Sequence, residues 1–344
     1  MPRTSIVTAM YNHRPFLAER VASVLAQSER DWEWIIVDDC STDGSFEEMA
    51  RLTAGEPRIR LLRNEQNLGF TATTQRGIDL AGGEFLYRAD SDDSSHPLFL
   101  AALGSVLSAN PGVAVVASRA LNLDAAGRAW GGFPRRPDLA ETGITALTRF
   151  VLGNEACAPT LLYRRSAVDA AGGFASVPEL RVNSDWNLTL GCLLHGDFRY
   201  VDWRLSYYRQ HTTGISGSSI RRLDPEAMAR ERYLPLDHIF DQLEGHVLPA
   251  NFPSRQAAID ESSRVLLGVC AARGGDPALA PQIERLRALI HQRSPGLVLA
   301  APVRRRPVDR LRALVKAAAM RLLSEPVARH RRLPAAQVAP GFSG

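Results

Sequence analysis

The chain has 344 residues, 45% apolar and 23% charged, a balance that suits about two packed domains and excludes a disordered or collagen-like protein. No stretch approaches the ~18 consecutive apolar residues of a membrane span, and residues 1–14 turn polar before a secretory core could form, so the expectation is a cytoplasmic chain. Charge is uneven: residues 301–344 carry a net +8, leaving about −4 for residues 1–300, which argues against a body that binds nucleic acid.

Residues 5–9 read as a strand, and 14–27 as a helix with Leu17, Val21, Val24 and Leu25 at helical spacing and Pro15 in its first turn. An apolar strand at 34–37 ends on Asp38, and Ser41, Thr42 and Asp43 offer caps for a helix reaching about 52. A strand at 59–62, a helix at 71–81, a strand at 84–88, a helix at 98–109 and a strand at 113–117 follow. This alternation predicts an α/β fold with a largely parallel central sheet flanked by helices, whose ligands sit at the carboxyl ends of the strands. Residues 119–160 read as irregular, with loop signals at Gly131, Gly132 and 134–137. A strand at 161–163, a helix at 165–171 stopped by Gly172 and Gly173, a helix at 185–195 and a strand at 201–207 come next. Beyond about 223 helical, Ala- and Arg-rich stretches take over. The expected division is a body 1–220, in halves 1–118 and 119–220, a helical region 221–333 and a flexible tail 334–344.

Cys40, Cys157, Cys192 and Cys270 form no CxxC pair and read as ordinary thiols of a reducing compartment. A dinucleotide GxGxxG is absent after the first strand, and Lys316, the chain's single lysine, cannot serve a P-loop. What does follow the strands is acidic. Asp90, Asp92 and Asp93 crowd one turn, where full ionisation without a counter-charge is costly. A hard divalent cation, Mg2+ or Mn2+, relieves that cost and can bridge to a diphosphate; the alternative is a solvated turn capping the next helix. Asp38 and Asp39 end a buried strand, where a carboxylate can accept from a base N–H or a ribose hydroxyl. Tyr11 could stack on a nucleobase or pack at the sheet rim.

These residues resemble glycosyltransferase family 2, of the GT-A fold. Thr8, Tyr11 and Asn12 match its opening element, Ser23 to Gln27 its first helix, and Val37 to Ser45 its Val–Asp–Asp–Gly–Ser–Thr–Asp–Gly–Ser run, with Cys40 in place of the first Gly. Asn67 to Gly69, Gly77 to Glu84, and Asp90, Ser91, Asp92 and Asp93 also fit. More loosely, Asn183 to Leu188 match the acidic motif whose first aspartate is the usual catalytic base, and Tyr208 to His211 match its closing Tyr–Arg–x–His. The resemblance implies an inverting transfer from a nucleotide-diphosphate sugar, a UDP-sugar foremost, to a glycan or lipid-linked saccharide. Residues 1–118 would form the nucleotide-sugar half and 119–220 the acceptor half. Asp185 would be the general base, its carboxylate favoured by the helix dipole. Thr8, Tyr11, Asn12, Asp38, Asp39, Gln75, Arg76, Asp90, Ser91 and Arg209 would bind the donor, and Asp90, Asp92, Asp93 and His211 the metal. Thr74 and Gln75 depart from the Arg–Asn of many relatives, and Ser184 and Asn187 replace acids beside Asp185. Transfer to a small natural product or a protein, or a non-catalytic sugar-nucleotide-binding or scaffold role, stays open.

In the tail, Val308, Leu311, Leu314, Val315, Ala318, Ala319 and Leu322 share one face of a basic helix. That face could lie on an anionic membrane, through residues 301–333, or pack on the body.

Overall fold

The computed structural model describes residues 2–132, 136–211 and 224–297. The basic tail, the loop after His211 and the boundary expected near residue 220 lie outside them. The strands are β1 Thr4–Met10, β2 Trp32–Asp38, β3 Ile59–Arg63, β4 Phe85–Arg88, β5 Ser94–Ser95, β6 Val113–Leu123, β7 Ala129–Gly132, β8 Leu139–Glu141, β9 Leu161–Arg164 and β10 Asp197–Arg209. The helices are α1 Leu17–Leu25, α2 Ser45–Thr53, α3 Phe70–Asp79, α4 Phe99–Ala109, α5 Gly143–Phe150, α6 Arg165–Ala170, α7 Ser184–Leu193, then α8 Pro225–Gln242, α9 Arg255–Arg273 and α10 Ala280–Arg293.

Among the described residues the strands form one sheet in the order β3-β2-β1-β4-β9-β6-β10-β5, with β7 on β6 and β8 on β10. The first four in that order are parallel neighbours. β9 then runs antiparallel to both β4 and β6, and the second half is mixed. Burial on both faces explains why β1 and β2 read as near-continuous apolar runs. Ile6 packs with Trp34 and Phe99 on one face, while Val7, its neighbour in the chain, packs with Ile78 and Leu86 on the other. α3 lies so close to β1 that a Cβ on Gly77 would sit 2.5 Å from Val7 Cγ1. The second face's core runs on without a break into Tyr233, Leu236, Leu266 and Leu286 of the last three helices.

Two local expectations change. Residues 119–160 are not one irregular stretch: β6 continues to Leu123, turns through Gly127 (φ 79°) and returns as β7, which contains Gly131 and Gly132. The same stretch holds the helix α5, whose Thr142 cap accepts the Thr145 N–H at 3.3 Å. At α2 the capping residue by backbone geometry is Gly44, although Asp43 Oδ1 does accept the Ser45 N–H at 2.9 Å. Cys40 has φ 64°, a left-handed conformation that accounts for the glycine expected there and strains any other L-residue.

Candidate active site

Met10 lies opposite Asp38, and Val7 opposite Arg88, so the segments leaving β1, β2 and β4 emerge at one edge of the sheet. The acidic turn 90–93 follows β4 and is tied down at once by β5, whose Ser94 and Ser95 pair with Tyr207 and Ser206 of β10. That short ladder carries the end of β10 to the turn. The Arg209 N–H donates to Asp93 Oδ1 at 2.7 Å, its Nε donates to the Asp92 carbonyl at 2.8 Å, and His211 Nε2 lies 2.8 Å from Asp92 Oδ2. α1 closes the other side. Arg20, wholly buried, donates from Nε to the Asp90 carbonyl at 2.7 Å. Glu19 accepts from the Ser94 hydroxyl at 2.9 Å and pairs with Arg209 Nη2 at 2.5 Å.

The three carboxylates diverge as crowding requires. Burial pushes Asp93 well above the ordinary carboxylate range, with Asp92 and Asp90 adding to it. Burial also raises Asp90, against the opposing pull of its partner Arg88. Asp92 goes the other way: burial works against its charge, but the His211 hydrogen bond and the field of His13 outweigh it and lower its pKa.

His13, Asp92 and His211 each offer a ligand atom, all within 4.8 Å of one another, and among the described residues no other group of His, Cys or carboxylates gathers in this way. His13 Nδ1 lies 2.7 Å from Ser91 Oγ, a contact that orients the ring as an outer-sphere partner does for a ligating histidine. Two imidazoles and one ionised carboxylate fit a divalent transition-metal ion such as Mn2+ better than Mg2+, which prefers oxygen throughout. Of the four expected ligands, Asp92 and His211 lie in this group, together with His13, which was not foreseen; Asp90 is ion-paired with Arg88, and Asp93 Oδ1 accepts the Arg209 N–H.

The expected donor residues separate in the same way. Thr8 is fully buried, donating to the Ala89 carbonyl and accepting from Trp34 Nε1. Asp39 accepts from the Leu68 and Gly69 amides at 2.7 and 2.9 Å and from Asn64 Nδ2, so it organises the 64–69 loop. Asp38, also buried, accepts the Ser41 N–H and pairs with Arg63, while its Oδ1 has no partner among the described residues. Arg76 is bound to Asn64. Asn12 (φ 54°) ties its loop to the next by accepting the Thr42 N–H at 2.8 Å. Gln75 accepts the Phe174 and Ala175 amides at 2.6 and 3.0 Å, which fixes the turn where Gly173 has φ 76°. Arg209 is likewise spent inside the protein. The side chains of Thr8, Gln75 and Arg209 are thus engaged within the protein, whereas Tyr11 is 46% exposed and Asp90 and Asp92 keep some solvent access.

Asp185 stands in the first turn of α7, and its Oδ1 accepts the Trp186 N–H at 2.8 Å. Burial dominates its environment and pushes its pKa up to about 6, against the opposing field of Arg88. The helix dipole expected to hold it low is outweighed. Arg88 is itself buried, ion-paired with Asp90 and under the field of Asp185, so the acidic turn and Asp185 share one electrostatic neighbourhood. A carboxylate of this kind, sharing the field of Arg88 with an acidic turn at the strand ends, has the chemistry to accept a proton.

A model of glycosyl transferase family 2 matches residues 5–171. EpsE of Bacillus subtilis (strain 168), named as a glycosyltransferase, is 32% identical over 209 residues, which cover 60% of this chain and 72% of EpsE. The chain belongs to glycosyl transferase family 2. This glycosyltransferase is also 38% identical over 92 residues to TuaG of the same bacterium, named for teichuronic acid biosynthesis, covering 27% of this chain and 36% of TuaG. Its GT-A fold is shared with Staphylococcus aureus TarS 1–349 in complex with UDP-GlcNAc (TM-score 0.55, 18% identity, 84% of this chain and 91% of that one). The mannosyltransferase PcManGT of Pyrobaculum calidifontis, in complex with GDP-Man and Mn2+, shares it too (TM-score 0.52, 18% identity, 94% and 87%).

Sequence reading of this family 2 enzyme missed His13, Glu19, Arg20 and Arg88. Each leaves a trace. Glu19 and Arg20 interrupt the apolar stripe of α1, Arg88 ends an otherwise apolar strand, and His13 follows Tyr11 and Asn12 directly.

Proposed function

We propose that this glycosyltransferase moves a sugar, with inversion at the anomeric carbon, from a nucleotide-diphosphate donor to a hydroxyl of a glycan or lipid-linked saccharide of the cell envelope. The observation that carries this reading is Arg88, buried and coupled to both Asp90 of the acidic turn and Asp185. On this reading a proton acceptor and a cation-binding turn would act in one electrostatic neighbourhood. Asp185 takes the acceptor hydroxyl's proton as its oxygen bonds to the anomeric carbon and the carbon–phosphate-oxygen bond breaks. A divalent cation held by His13, Asp92 and His211 would neutralise charge on the departing diphosphate, a reading supported by the Mn2+ of PcManGT. Exposed Tyr11 offers a face to the nucleobase, and Asp38 Oδ1 leaves an acceptor at the end of β2 for a ligand N–H or hydroxyl. The UDP-GlcNAc bound by TarS supports a UDP-sugar, and the name of TuaG supports an envelope polysaccharide.

Nucleotide release from UDP-GlcNAc, UDP-glucose, UDP-galactose and GDP-mannose, with Mn2+ and a glycan acceptor panel, tests the reading. Turnover of at least one donor, lost in Asp185→Asn while donor binding persists, is the expected result. Equal absence of turnover in parent and variant, with donor still bound, would favour the non-catalytic alternative. We also read residues 1–220 as the catalytic body and the basic stretch 301–333 as a peripheral contact with anionic lipid. Co-sedimentation with anionic liposomes, with and without residues 301–344, tests the contact; equal pelleting removes it.

A further inference from the structure

The segment that launches α7 is gripped from outside the strand-bearing body. Glu231 of α8 is buried, and its carboxylate accepts three consecutive amides: Arg181 N–H at 2.8 Å on Oε1, then Val182 and Asn183 N–H at 3.0 and 2.9 Å on Oε2. The Glu231 carbonyl accepts from Asn183 Nδ2 at 2.8 Å. Asn183 is the residue from which α7 starts, its own side chain makes no cap, and Asp185 follows two positions later. Across the segment, the Thr71 hydroxyl of α3 donates to the Leu180 carbonyl and lies 3.2 Å from Ser184 Oγ. α8 touches α7 twice more: the Arg232 guanidinium stands 6.0 Å from the Trp186 ring centroid, and His238 Nδ1 lies 3.2 Å from Asn187 Oδ1.

We propose that Glu231 is a positioning residue for transfer: it fixes the approach of the chain to α7 and so aims Asp185, making the C-terminal helices part of the catalytic apparatus. The inference rests on the reading of Asp185 as general base. A buried carboxylate is costly unless its oxygens are bonded, and an apolar residue in its place would leave the three amides without an acceptor. What the charge adds is direction, because three amides converging on one carboxylate lock three peptide planes. α8 is itself bonded to the two helices that follow it, by Tyr233 Oη to Ser263 Oγ at 2.9 Å and Arg293 to Asp237 at 2.5 Å.

The test compares Glu231→Gln and Glu231→Ala with the parent in the full chain, using the nucleotide sugar that turns over in the panel above. Three quantities are read: kcat, the donor dissociation constant by direct titration, and hydrogen exchange of residues 181–187. We expect kcat to fall ~10-fold for Gln, which keeps one accepting oxygen, and ~100-fold for Ala, as angstrom-scale misplacement of a reacting group does. Donor affinity holds within about threefold, and the 181–187 amides exchange faster. In an Asp185→Asn background Glu231→Gln then changes turnover little, because there is no base left to aim. Unchanged kcat or unchanged exchange in a folded variant overturns the proposal, as does a kcat loss matched by equal loss of donor affinity or unfolding of both variants. If Asp185→Asn alone retains parental turnover, the base assignment fails first, a result distinct from an inactive Asp185→Asn beside a fully active Glu231→Gln.

Discussion

At the scale of the residue, Asp185 shows how one side chain can be set against its surroundings for use. Its pKa of about 6, up from 3.8, means that the folded protein resists ionising it. The sign follows: the native state binds its proton more tightly than the unfolded chain, so this group's stabilisation is full below pH 4 and lost as pH rises through 6, by about 3 kcal/mol. Asp185→Asn is therefore expected to be more stable than the parent at pH 8 by up to about that amount, with no gain near pH 4, and to lose turnover. Urea titrations at the two pH values check the first part; equal stability of the two proteins at pH 8 contradicts it. Parental turnover is expected to fall below pH 6, tenfold per unit, as the base is protonated. At His13 the expectation concerns affinity. His13→Ala should weaken Mn2+ binding about tenfold or more, read from the free-ion resonance in titrations, while barely altering Mg2+ binding. Unchanged Mn2+ affinity would restrict the ligands to Asp92 and His211.

At the scale of the element, the acidic turn is held more by its neighbours than by itself. β5 hydrogen-bonds it to β10, and Arg209 straps it to Glu19 of α1 and to the Asp92 carbonyl. Arg209→Met removes the guanidinium from Glu19 and from the Asp92, Asp124 and Ala125 carbonyls, so a loss of about 3 kcal/mol is expected; a loss well under 1 kcal/mol in urea unfolding would show the strap to be dispensable. This strap marks where sequence reading stops. The parallel strands were legible because apolar runs and caps are local; Asp92 was singled out by the crowded acidic turn, and Asp185 and His211 by resemblance. The jobs of Gln75 and Arg209 were not, because both resemble ligand-binding groups in sequence and reveal their structural use only through partners about 100 positions away. His13 was hidden for the same reason. Its significance depends on His211, which only the β5–β10 pairing brings near.

At the scale of the whole molecule, the helices after residue 224 extend the core that underlies α6 and α7, so the catalytic face and the C-terminal region share packing as well as hydrogen bonds. The expected halves 1–118 and 119–220 divide the His13, Asp92 and His211 group between them, with His13 and Asp92 in the first and His211 in the second. A fragment of residues 1–118 is accordingly expected to hold Mn2+ at least ~10-fold more weakly than the full chain, by the same titration; parental affinity would contradict the three-ligand site. The pairing of β5 with β10 has a consequence for the newborn polypeptide. Loop closure over so long a span is entropically unfavourable and late. Residues 209–211 reach the turn 90–93 only after β10 has left the ribosome, so the contacts of Asp92 and Asp93 with Arg209 and His211 are completed late in synthesis.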